Sequence, residues 1–382
     1  MNQRPVILHL LNSLSDSSIT RIVERIIRQQ GPAAADWRVA ALGGSNGLMP
    51  LISSLGAQTL DFSARPGWEI LQAYLAQNRV DILHSHTPHT IVTAWRAITG
   101  LERNQRPIHL ATKHLLTRPA DRRGGLVYAL ADRLALYLPD HLVAVSRTMA
   151  REIARWPGLG PSRVSAIPNG IPVELYGEAG DRDTLREATR QELNFPAGAL
   201  VFGFAGRLDQ VKRLDILLAA FAAARDQLPQ ARLLILGQGP LLATWQDQAA
   251  RLGIEAAVCW AGFRHDMPRM LAAMDLYVQC SVNEGLSLSI LEAMAARLCV
   301  IATRVGAAEE VLTHAVTGWL IPPGSAAELA AALVHLGTDT LLRRRLAAAA
   351  AAEVGAHYSV TAMTAAYGRV YRQLLDRRPP HA

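Results

Sequence analysis

The stretch 276–294 reads LYVQCSVNEGLSLSILEAM and joins an apolar strand to a helix through a short polar loop. The apolar run 276–279 predicts a buried strand, 283–285 the loop, and Leu286 onward the helix. The first N–H groups of a helix have no partner within it and can bind phosphate, and a glycine in the loop lets a ligand approach the backbone closely. The sequence therefore predicts an anion site formed by Gly285, Leu286, Ser287 and Leu288.

Strand-like apolar runs alternate with helical patterns along all 382 residues. This alternation predicts the α/β class, with parallel sheets covered by helices on both faces. Twelve strands exceed one ordinary sheet, and the series restarts at Leu200, so we expect two doubly wound domains. The predicted strands are Val6–Leu11, Arg38–Leu42, Ile82–His84, Ile108–Ala111, His141–Val145, Val164–Ile167, Leu200–Ala205, Arg232–Leu236, Ala257–Trp260, Leu276–Gln279, Val300–Ala302 and Gly318–Ile321.

The predicted domain boundaries follow from this restart. Residues 1–176 form a first domain, the polar and acid-rich stretch 177–195 a linker, and residues 196–357 a second domain. Residues 358–382 hold a last helix with no strand after it, which we expect to cross back to the first domain. In open α/β sheets, ligands bind beyond the carboxyl ends of the strands, so the two domains are expected to share a ligand.

The composition is that of a globular protein. Half of the residues are apolar, and no apolar run reaches the roughly 18–20 residues that a membrane helix needs. The run Val6–Leu11 lacks the charged start and cleavage site of a signal peptide and is interpreted as a buried strand. Cys259, Cys280 and Cys299 show no metal-ligand spacing and are interpreted as reduced thiols of a cytosolic protein.

The positive charge is uneven along the chain. Residues 1–180 carry 19 Lys and Arg against 13 Asp and Glu, whereas the remainder carries 20 against 19. A basic first half favours an anionic partner, such as an anionic membrane surface or a phosphate-bearing acceptor. Nucleic acid is not expected, because basic and aromatic residues are not interleaved and no nucleic-acid-binding motif occurs. The alternative is that the charge serves solubility alone.

Two cations follow the predicted strand at 200–205. Arg207 at the strand end and Lys212 at the next helix start could converge on one diphosphate, the arginine as a fork of donors and the lysine as a point charge. Lys113 and Lys212 are the only lysines, against 37 arginines, and this bias indicates that a compact ammonium is needed at position 212. The alternative is a solvated surface lysine.

Three segments of the second half, in this order, carry a family resemblance. They are GRL at 206–208 followed by Lys212, LGQGP at 236–240, and Glu284 followed by EAM at 292–294. The chain resembles the family 4 retaining glycosyltransferases of the GT-B fold, and the resemblance covers essentially the whole second half. It implies two Rossmann-like domains that face each other across a cleft.

The resemblance implies a site for a nucleotide-sugar. Arg207 and Lys212 would hold the donor diphosphate, Glu284 would face the sugar, and Glu292 would bind the ribose. Cations and helix amides would stabilise the departing nucleoside diphosphate as the glycosidic bond breaks, so no metal is needed. Glu284, Arg207 and Lys212 are thus predicted to be catalytic. The loop bordering the nucleotide base would be Gly262, Phe263 and Arg264.

In the first half, residues 81–87, DILHSHT, end a strand in two histidines. Alternate residues of a strand lie on the same side, so His84 and His86 would lie together. The family has this H-x-H motif near the donor sugar and acceptor, which implies that His86 is catalytic and donates to a sugar hydroxyl, and that His84 is structural. The resemblance also implies acceptor-side roles for Ser17, Ser18, His114, Ser146 and Asn169.

We expect no metal and no other cofactor. A zinc site at His84 and His86 would need a third ligand, and although His89 is near, no Cys or Asp supports it. The D-x-D sequence at 181–183 lies in the predicted linker, away from any strand end, and is interpreted as a solvated charge run.

The chain departs from the family pattern at two loops. Ser17 and Ser18 stand where the family usually has adjacent glycines, which leaves catalytic activity open. Ala307 replaces the second of two glycines that precede a family glutamate, which Glu310 matches, or Glu309 under a one-residue shift.

The sequence thus predicts a cytoplasmic hexosyltransferase that uses a nucleoside-diphosphate hexose. The resemblance implies retention of configuration. The predicted acceptor is a lipid-linked or growing saccharide of surface polysaccharide or lipopolysaccharide, at the inner face of the cell membrane. The alternatives are a nucleotide-sugar 2-epimerase, a non-catalytic scaffold of the same fold and a nucleic-acid-binding protein. The first loop lacks G-x-G-x-x-G, which argues against a nicotinamide dehydrogenase.

Overall fold

The computed structural model describes residues 4–43, 47–63, 66–116, 125–176 and 179–377, without the side chains of 125–128 and 179–181. The chain divides into two compact units. Unit 1 comprises Met1–Gly170 and Val360–Ala382, and unit 2 comprises Ile171–Ser359. The chain therefore passes into unit 2 after Gly170, earlier than the predicted boundary at 176.

Seven strands of unit 1 form one parallel sheet. They are β1 (Val6–Leu11), β2 (Asp36–Ala41), β3 (Gln58–Asp61), β4 (Ile82–Ser85), β5 (Ile108–Lys113), β6 (His141–Ala144) and β7 (Val164–Ala166). Their order in the sheet is β3-β2-β1-β4-β5-β6-β7. The strand β3 was not predicted, because its residues QTLD contain a single apolar side chain and occupy a half-exposed edge.

Helices connect these strands and bury apolar faces against the sheet. In α1, Ile22, Val23, Ile26 and Ile27 face the core beside the buried Trp37. The spacing of these isoleucines and Val23 is that of one helix face. The helices of this part are α1 (Ser18–Gln30), α2 (Met49–Ser54), α3 (Gly67–Gln77), α4 (Pro88–Thr99), α5 (Gly125–Ala135) and α6 (Arg147–Ala154), with a 3-10 turn at Arg103–Gln105.

Unit 2 contains a second parallel sheet. Its strands are β8 (Leu200–Ala205), β9 (Ala231–Leu236), β10 (Val258–Gly262), β11 (Leu276–Gln279), β12 (Cys299–Thr303) and β13 (Trp319–Ile321), in the order β10-β9-β8-β11-β12-β13. Phe202, Phe204 and Phe221 are buried in its core. The helices are α7 (Ala179–Glu192), α8 (Leu214–Ala224), α9 (Leu242–Arg251), α10 (Met267–Ala272), α11 (Leu288–Ala295), α12 (Ala308–Val311), α13 (Ala326–Thr338) and α14 (Thr340–His357), with 3-10 turns at Val173–Tyr176, Gln210–Lys212 and Glu255–Ala257. The expected α/β class with two doubly wound parallel sheets is confirmed.

The stretch 177–195 is not a linker from 179 onward. It contains α7, which belongs to unit 2 and packs against α10. Arg186 and Arg190 donate to the two carboxylate oxygens of Asp275 at 2.6 and 2.8 Å. Burial acts to raise the pKa of Asp275, but these arginines and the amide of Val201 outweigh it and lower the pKa. The acid-rich sequence was therefore wrongly interpreted as a linker, whereas it forms the helix α7, which ion pairs hold against the rest of unit 2.

The last helix, α15 (Val360–Asp376), belongs to unit 1 and packs against α1. Gln30 donates to the carbonyl of Thr364 at 3.0 Å. The hydroxyl of buried Tyr371 lies 2.9 Å from Nδ1 of His84. Among the residues with described positions, no helix combines the length and the apolar character needed to cross a membrane.

Candidate functional site

The carboxylate of Glu284 is the centre of a polar cluster in unit 2. Lys212 donates to its Oε1, and so do Gln279 Nε2 at 2.6 Å and Ser281 Oγ at 2.8 Å. The Lys212 and Glu284 side chains are 18% and 16% exposed, so the ion pair is enclosed but still reachable from solvent. Three donors stabilise the ionised carboxylate and fix its direction.

A buried chain of hydrogen bonds through Tyr277 and Gln279 connects this carboxylate to the strand β8. The Tyr277 hydroxyl lies 2.9 Å from Gln279 Oε1 and 3.0 Å from the carbonyl oxygen of Ala205 at the end of β8. Burial raises the pKa of Tyr277, and the charges of Glu284 and Glu292 act in the same direction. The tyrosine is therefore a neutral donor, and the cluster links the carboxyl ends of β8 and β11.

Gly306 holds the Glu284 loop in place from the neighbouring strand end. Its φ is +56°, and a Cβ at this position would overlap the carbonyl oxygen of Glu284. The amide of Ala307 donates to the carbonyl of Gly285 at 3.0 Å. Ala307 itself has a φ of −92°, which any residue adopts, so the alanine in place of the family's second glycine introduces no backbone strain.

The predicted anion site lies beside the carboxylate. The helix begins at Leu288 rather than Leu286, with Ser287 at the N-cap position and no side-chain cap hydrogen bond. Gly285, Leu286 and Ser287 precede it and line a pocket together with Glu284. The rest of the pocket lining is Gln279, Ile290, Thr303, Val305, Ala307, Ala308 and Val311.

The two predicted phosphate-binding cations differ in their surroundings. Lys212 ends the 3-10 turn after β8 and reaches Glu284. Arg207 is 73% exposed and lies 3.7 Å from Asp209. The loop that carries both is pinned by close backbone approach, because a Cβ on Gly237 or Gly239 would overlap carbonyl oxygens of 206 or 208.

The loop after β10 is joined to the same edge of the sheet. The carbonyl of Gly262 accepts from the amide of Gly237 at 2.7 Å, and Gly262 has a φ of +68°. Phe263 is exposed. Arg264 makes two hydrogen bonds of 2.8 and 2.7 Å to Asp266 and one of 3.1 Å to Glu192. Glu292 lies within α11, near enough to Tyr277 to act on its pKa.

The histidines of unit 1 form a buried cluster. His84 is held by two hydroxyls, those of Tyr371 at 2.9 Å and Thr112 at 2.7 Å, as expected for a structural residue. His86 Nε2 lies 3.0 Å from Nδ1 of His9. His9 was not predicted as a site residue, and its place opposite His84 follows from the register of β1 and β4. Burial lowers the pKa of His9 to about 3 and that of His86 well below its ordinary value.

His9, His84 and His86 are also a candidate metal-ligand set, since one ring nitrogen of each lies within 4.8 Å of the others. Both ring nitrogens of His84 are already taken by hydroxyls. These surroundings favour neutral, mutually hydrogen-bonded rings over a divalent ion.

The acceptor-side predictions fall on helix starts and strand ends of unit 1. Ser17 caps α1 by accepting from the amide of Thr20 at 3.3 Å, and Ser146 caps α6 by accepting from Met149 at 3.0 Å. Ser18 is the first residue of α1, and Asn169 is buried at the end of unit 1. The ring of His114 lies 5.8 Å from that of His86, and burial lowers its pKa to about 4, with the charge of Lys113 adding to the effect. Capping explains the serine at 17, where the family has glycine.

Comparison with known proteins identifies the family. The family model for Glycosyl transferases group 1 matches residues 186–353, and that for Glycosyltransferase Family 4 matches residues 50–175. A D-inositol 3-phosphate glycosyltransferase of Stackebrandtia nassauensis is 30% identical over 324 residues, which cover 81% of this chain and 68% of that protein. This chain belongs to the family 4 type of GT-B glycosyltransferases.

Further similarities agree with this assignment. The putative glycosyltransferase EpsD of Bacillus subtilis is 27% identical, with 70% of each chain covered. The structure of this glycosyltransferase resembles that of Anabaena HepE in complex with UDP and glucose, with a TM-score of 0.81, 23% identity and coverage of 96% and 99%. It also resembles WaaG, a glycosyltransferase involved in lipopolysaccharide biosynthesis, with a TM-score of 0.75, 17% identity and the same coverage. The GT-B fold predicted from the motifs is thereby confirmed.

Proposed function

We propose that this glycosyltransferase moves a hexose from a nucleoside-diphosphate sugar to a saccharide or lipid-linked acceptor, with retention of configuration and without a metal ion. The observation that carries the proposal is the Glu284 carboxylate, which Lys212, Gln279 and Ser281 hold beside the start of α11. The complexes of Anabaena HepE with UDP and glucose and with UDP-glucose support a donor of this class.

In this proposal Lys212 connects the sugar and the diphosphate. Its ammonium has three donors, so it can keep Glu284 and also bind a phosphate oxygen. The first N–H groups of α11 and the exposed Arg207 would bind the remaining phosphate oxygens. Negative charge that develops on the departing diphosphate is stabilised by these groups, and Glu284 faces the positive charge that develops on the sugar. Glu292 would bind the ribose, and the loop 262–264 would border the base.

The acceptor would meet neutral groups in unit 1. Burial keeps His86 and His114 uncharged at neutral pH, so His86 acts as a hydrogen-bond donor to a sugar hydroxyl and not as a cation. Ser17, Ser18, Ser146 and Asn169 stay assigned to the acceptor side. We propose an acceptor of surface polysaccharide or lipopolysaccharide synthesis and a location at the cytoplasmic face of the membrane, where the basic first half would meet anionic lipid.

Two variants test the donor site. Glu284→Gln should slow transfer by about two orders of magnitude, because the charge opposite the sugar cation is lost. The same change should tighten binding of the free nucleoside diphosphate about fivefold, because Lys212 loses its competing anion. Lys212→Gln should lower both the rate of transfer and the affinity for the nucleoside diphosphate. Transfer is measured as the release of UDP or GDP from a panel of nucleotide-sugars, and binding is measured by calorimetry.

The controls separate this proposal from its alternatives. Arg264→Gln removes a cation that is already bound to Asp266 and Glu192, and should leave transfer within about twofold of wild type. A scaffold would release no nucleotide from any sugar, and an epimerase would convert the donor in the absence of acceptor. An inverted anomeric centre in the product, or activity abolished by a chelator, would contradict the mechanism. Wild-type transfer by Glu284→Gln would remove the site assignment.

A further inference from the structure

The rings of His9 and His86 share one hydrogen bond inside unit 1. Nδ1 of His9 lies 3.0 Å from Nε2 of His86, and the two rings are tilted by 22° with their centres 5.3 Å apart. Their exposed fractions are 0% and 1%. Burial lowers the pKa of both rings, so each is neutral and carries a single ring proton at neutral pH. One ring must therefore donate and the other must accept.

Two arrangements of the protons satisfy this contact. In the first, His9 donates from Nδ1, and His86 then carries its own proton on Nδ1. In the second, His86 donates from Nε2, and His9 then carries its own proton on Nε2. The hydrogen bond of one ring nitrogen thus sets the protonation of the other nitrogen. The two arrangements differ in which of the two rings presents a free N–H group.

The other nitrogens of this pair have no partner in the described part of the chain. His9 Nε2 and His86 Nδ1 are both buried, and no described group forms a hydrogen bond with either atom. His84 serves neither of them, because hydroxyls occupy both of its ring nitrogens. A buried N–H group is left without a partner even more rarely than a buried acceptor. The free N–H group therefore belongs on the ring that a ligand can reach.

Position in the sheet distinguishes the two rings. His86 directly follows β4 and precedes Thr87, the N-cap of α4, so it lies at the edge where parallel sheets bind ligands. The ring of His114, which follows the adjacent strand β5, lies 5.8 Å away, and its Nε2 also has no partner among the described residues. His9 lies inside β1, with the ring of Trp37 stacked 6.0 Å from it. Only the first arrangement presents the free N–H group at the ligand edge.

We propose that His9 is a positioning residue that fixes the tautomer of His86. Nδ1 of His9 donates to Nε2 of His86, which holds the proton of His86 on Nδ1, where it meets a hydroxyl of the sugar. This role of His9 rests on the proposed function of His86 and adds the atom that donates and the residue that controls it. It also accounts for the single polar side chain of β1, whose sequence is VILHLL.

Ring-nitrogen spectra of the full chain test the assignment. With ¹⁵N in the histidine rings, long-range ¹H–¹⁵N spectra distinguish a ring protonated on Nδ1 from one protonated on Nε2. The signal of His86, identified by its loss in His86→Gln, should show the proton on Nδ1. His9→Asn, whose amide can donate from nearly the same place, should keep this pattern. His9→Met, whose thioether can only accept, should move the proton to Nε2.

The rate of transfer connects the tautomer to the reaction. His9→Met should lower kcat about tenfold, because Nδ1 of His86 no longer donates to the sugar, whereas His9→Asn should stay within about threefold of wild type. The affinity for the nucleoside diphosphate should not change, since its proposed ligands lie in unit 2. Trp37→Phe is the matched control for packing against His9. It should lower the melting temperature but leave the His86 signal unchanged and kcat within about twofold of wild type.

The spectra and the rates fail separately. A proton on Nε2 of His86 in wild type would overturn the assignment, even if a variant does not fold. Identical His86 signals and equal kcat values in His9→Asn and His9→Met would also overturn it. If no nucleotide-sugar yields free nucleotide, the proposed function fails. A proton on Nδ1 that moves in His9→Met would then still establish that His9 fixes the tautomer of His86.

Discussion

Acidification should unfold unit 1 before unit 2, because the sheet of unit 1 contains histidines that burial keeps neutral. Burial lowers the pKa of His9 and His109 to about 3 and that of His114 to about 4, and lowers those of His84 and His86 as well. In the unfolded chain each would have a pKa near 6.5. The folded pKa is the lower one, so the unfolded state takes up protons first. Stability is complete above about pH 6.5 and is lost as the pH falls from there towards the folded pKa.

The expected loss in the free energy of unfolding is large for a single unit. Between about pH 7.5 and pH 5, each histidine with a folded pKa of about 3 or 4 costs about 2 kcal/mol. His9, His109 and His114 together therefore remove about 6 kcal/mol. A domain is stable by about 5–15 kcal/mol in total, so unit 1 should approach its unfolding midpoint near pH 5.

Hydrogen exchange measured by mass spectrometry at the two pH values checks this prediction. Amides of β1, β4 and β5 should lose at least about 6 kcal/mol of protection free energy, while those of β8, β9 and β11 lose much less. His109→Gln can keep the hydrogen bond to Ser85 and removes one titrating ring, so it should reduce the pH-dependent loss by about 2 kcal/mol. Equal losses in the two units, or an unchanged loss in His109→Gln, would show that the buried histidines do not control the acid stability of unit 1.

Three further substitutions test other parts of the structure. Gly306→Ala should destabilise unit 2 by about 1–3 kcal/mol in calorimetry and weaken nucleotide binding, because its Cβ would overlap the Glu284 loop at a positive φ; an unchanged melting temperature would contradict this. Asp275→Asn should cost about 2–4 kcal/mol, because two arginines of α7 lose a shared carboxylate; a loss below about 1 kcal/mol in chemical denaturation would count against that anchor. Lys113→Met should destabilise more than the double variant with Asp132→Leu, since the single change leaves an unpaired buried charge; the reverse order would show that the pair is not buried in solution.

The sequence was sufficient to predict most of the fold. Strands with continuous apolar runs, such as Val6–Leu11 and Leu200–Ala205, have the predicted bounds. The strand β3 was missed, because an edge strand needs little apolar sequence. The helix α7 was interpreted as a linker, because arginine hydrogen bonds hold it in place and its sequence shows no apolar periodicity.

Some residues of the candidate site were predicted from the sequence, and others were not. Lys212 and Glu284 each follow a strand, and the rule that ligands bind beyond the carboxyl ends of parallel strands was enough to select both as site candidates. Gly306 and His9 were missed, because their roles depend on which strands are neighbours and in what register. Gln279 and Ser281 were close in sequence to Glu284, and their alternation at the strand end is a signal that could have found them. Sequence spacing reports neighbours along the chain, whereas register is a property of the assembled sheet.

The two lysines of the chain have similar surroundings but differ in their access to solvent. Both form ion pairs with a carboxylate in enclosed places, Lys113 with Asp132 and Lys212 with Glu284, in a chain that otherwise uses arginine for its positive charge. A compact ammonium fits where a planar guanidinium would need more room. Solvent access distinguishes the pairs, since the side chains of the first are 2% and 5% exposed and those of the second 18% and 16%. The first pair is almost fully shielded from solvent and is structural. The second borders the pocket at the start of α11, so an incoming phosphate can bind the same ammonium while Glu284 stays paired with it, as the proposed reaction requires.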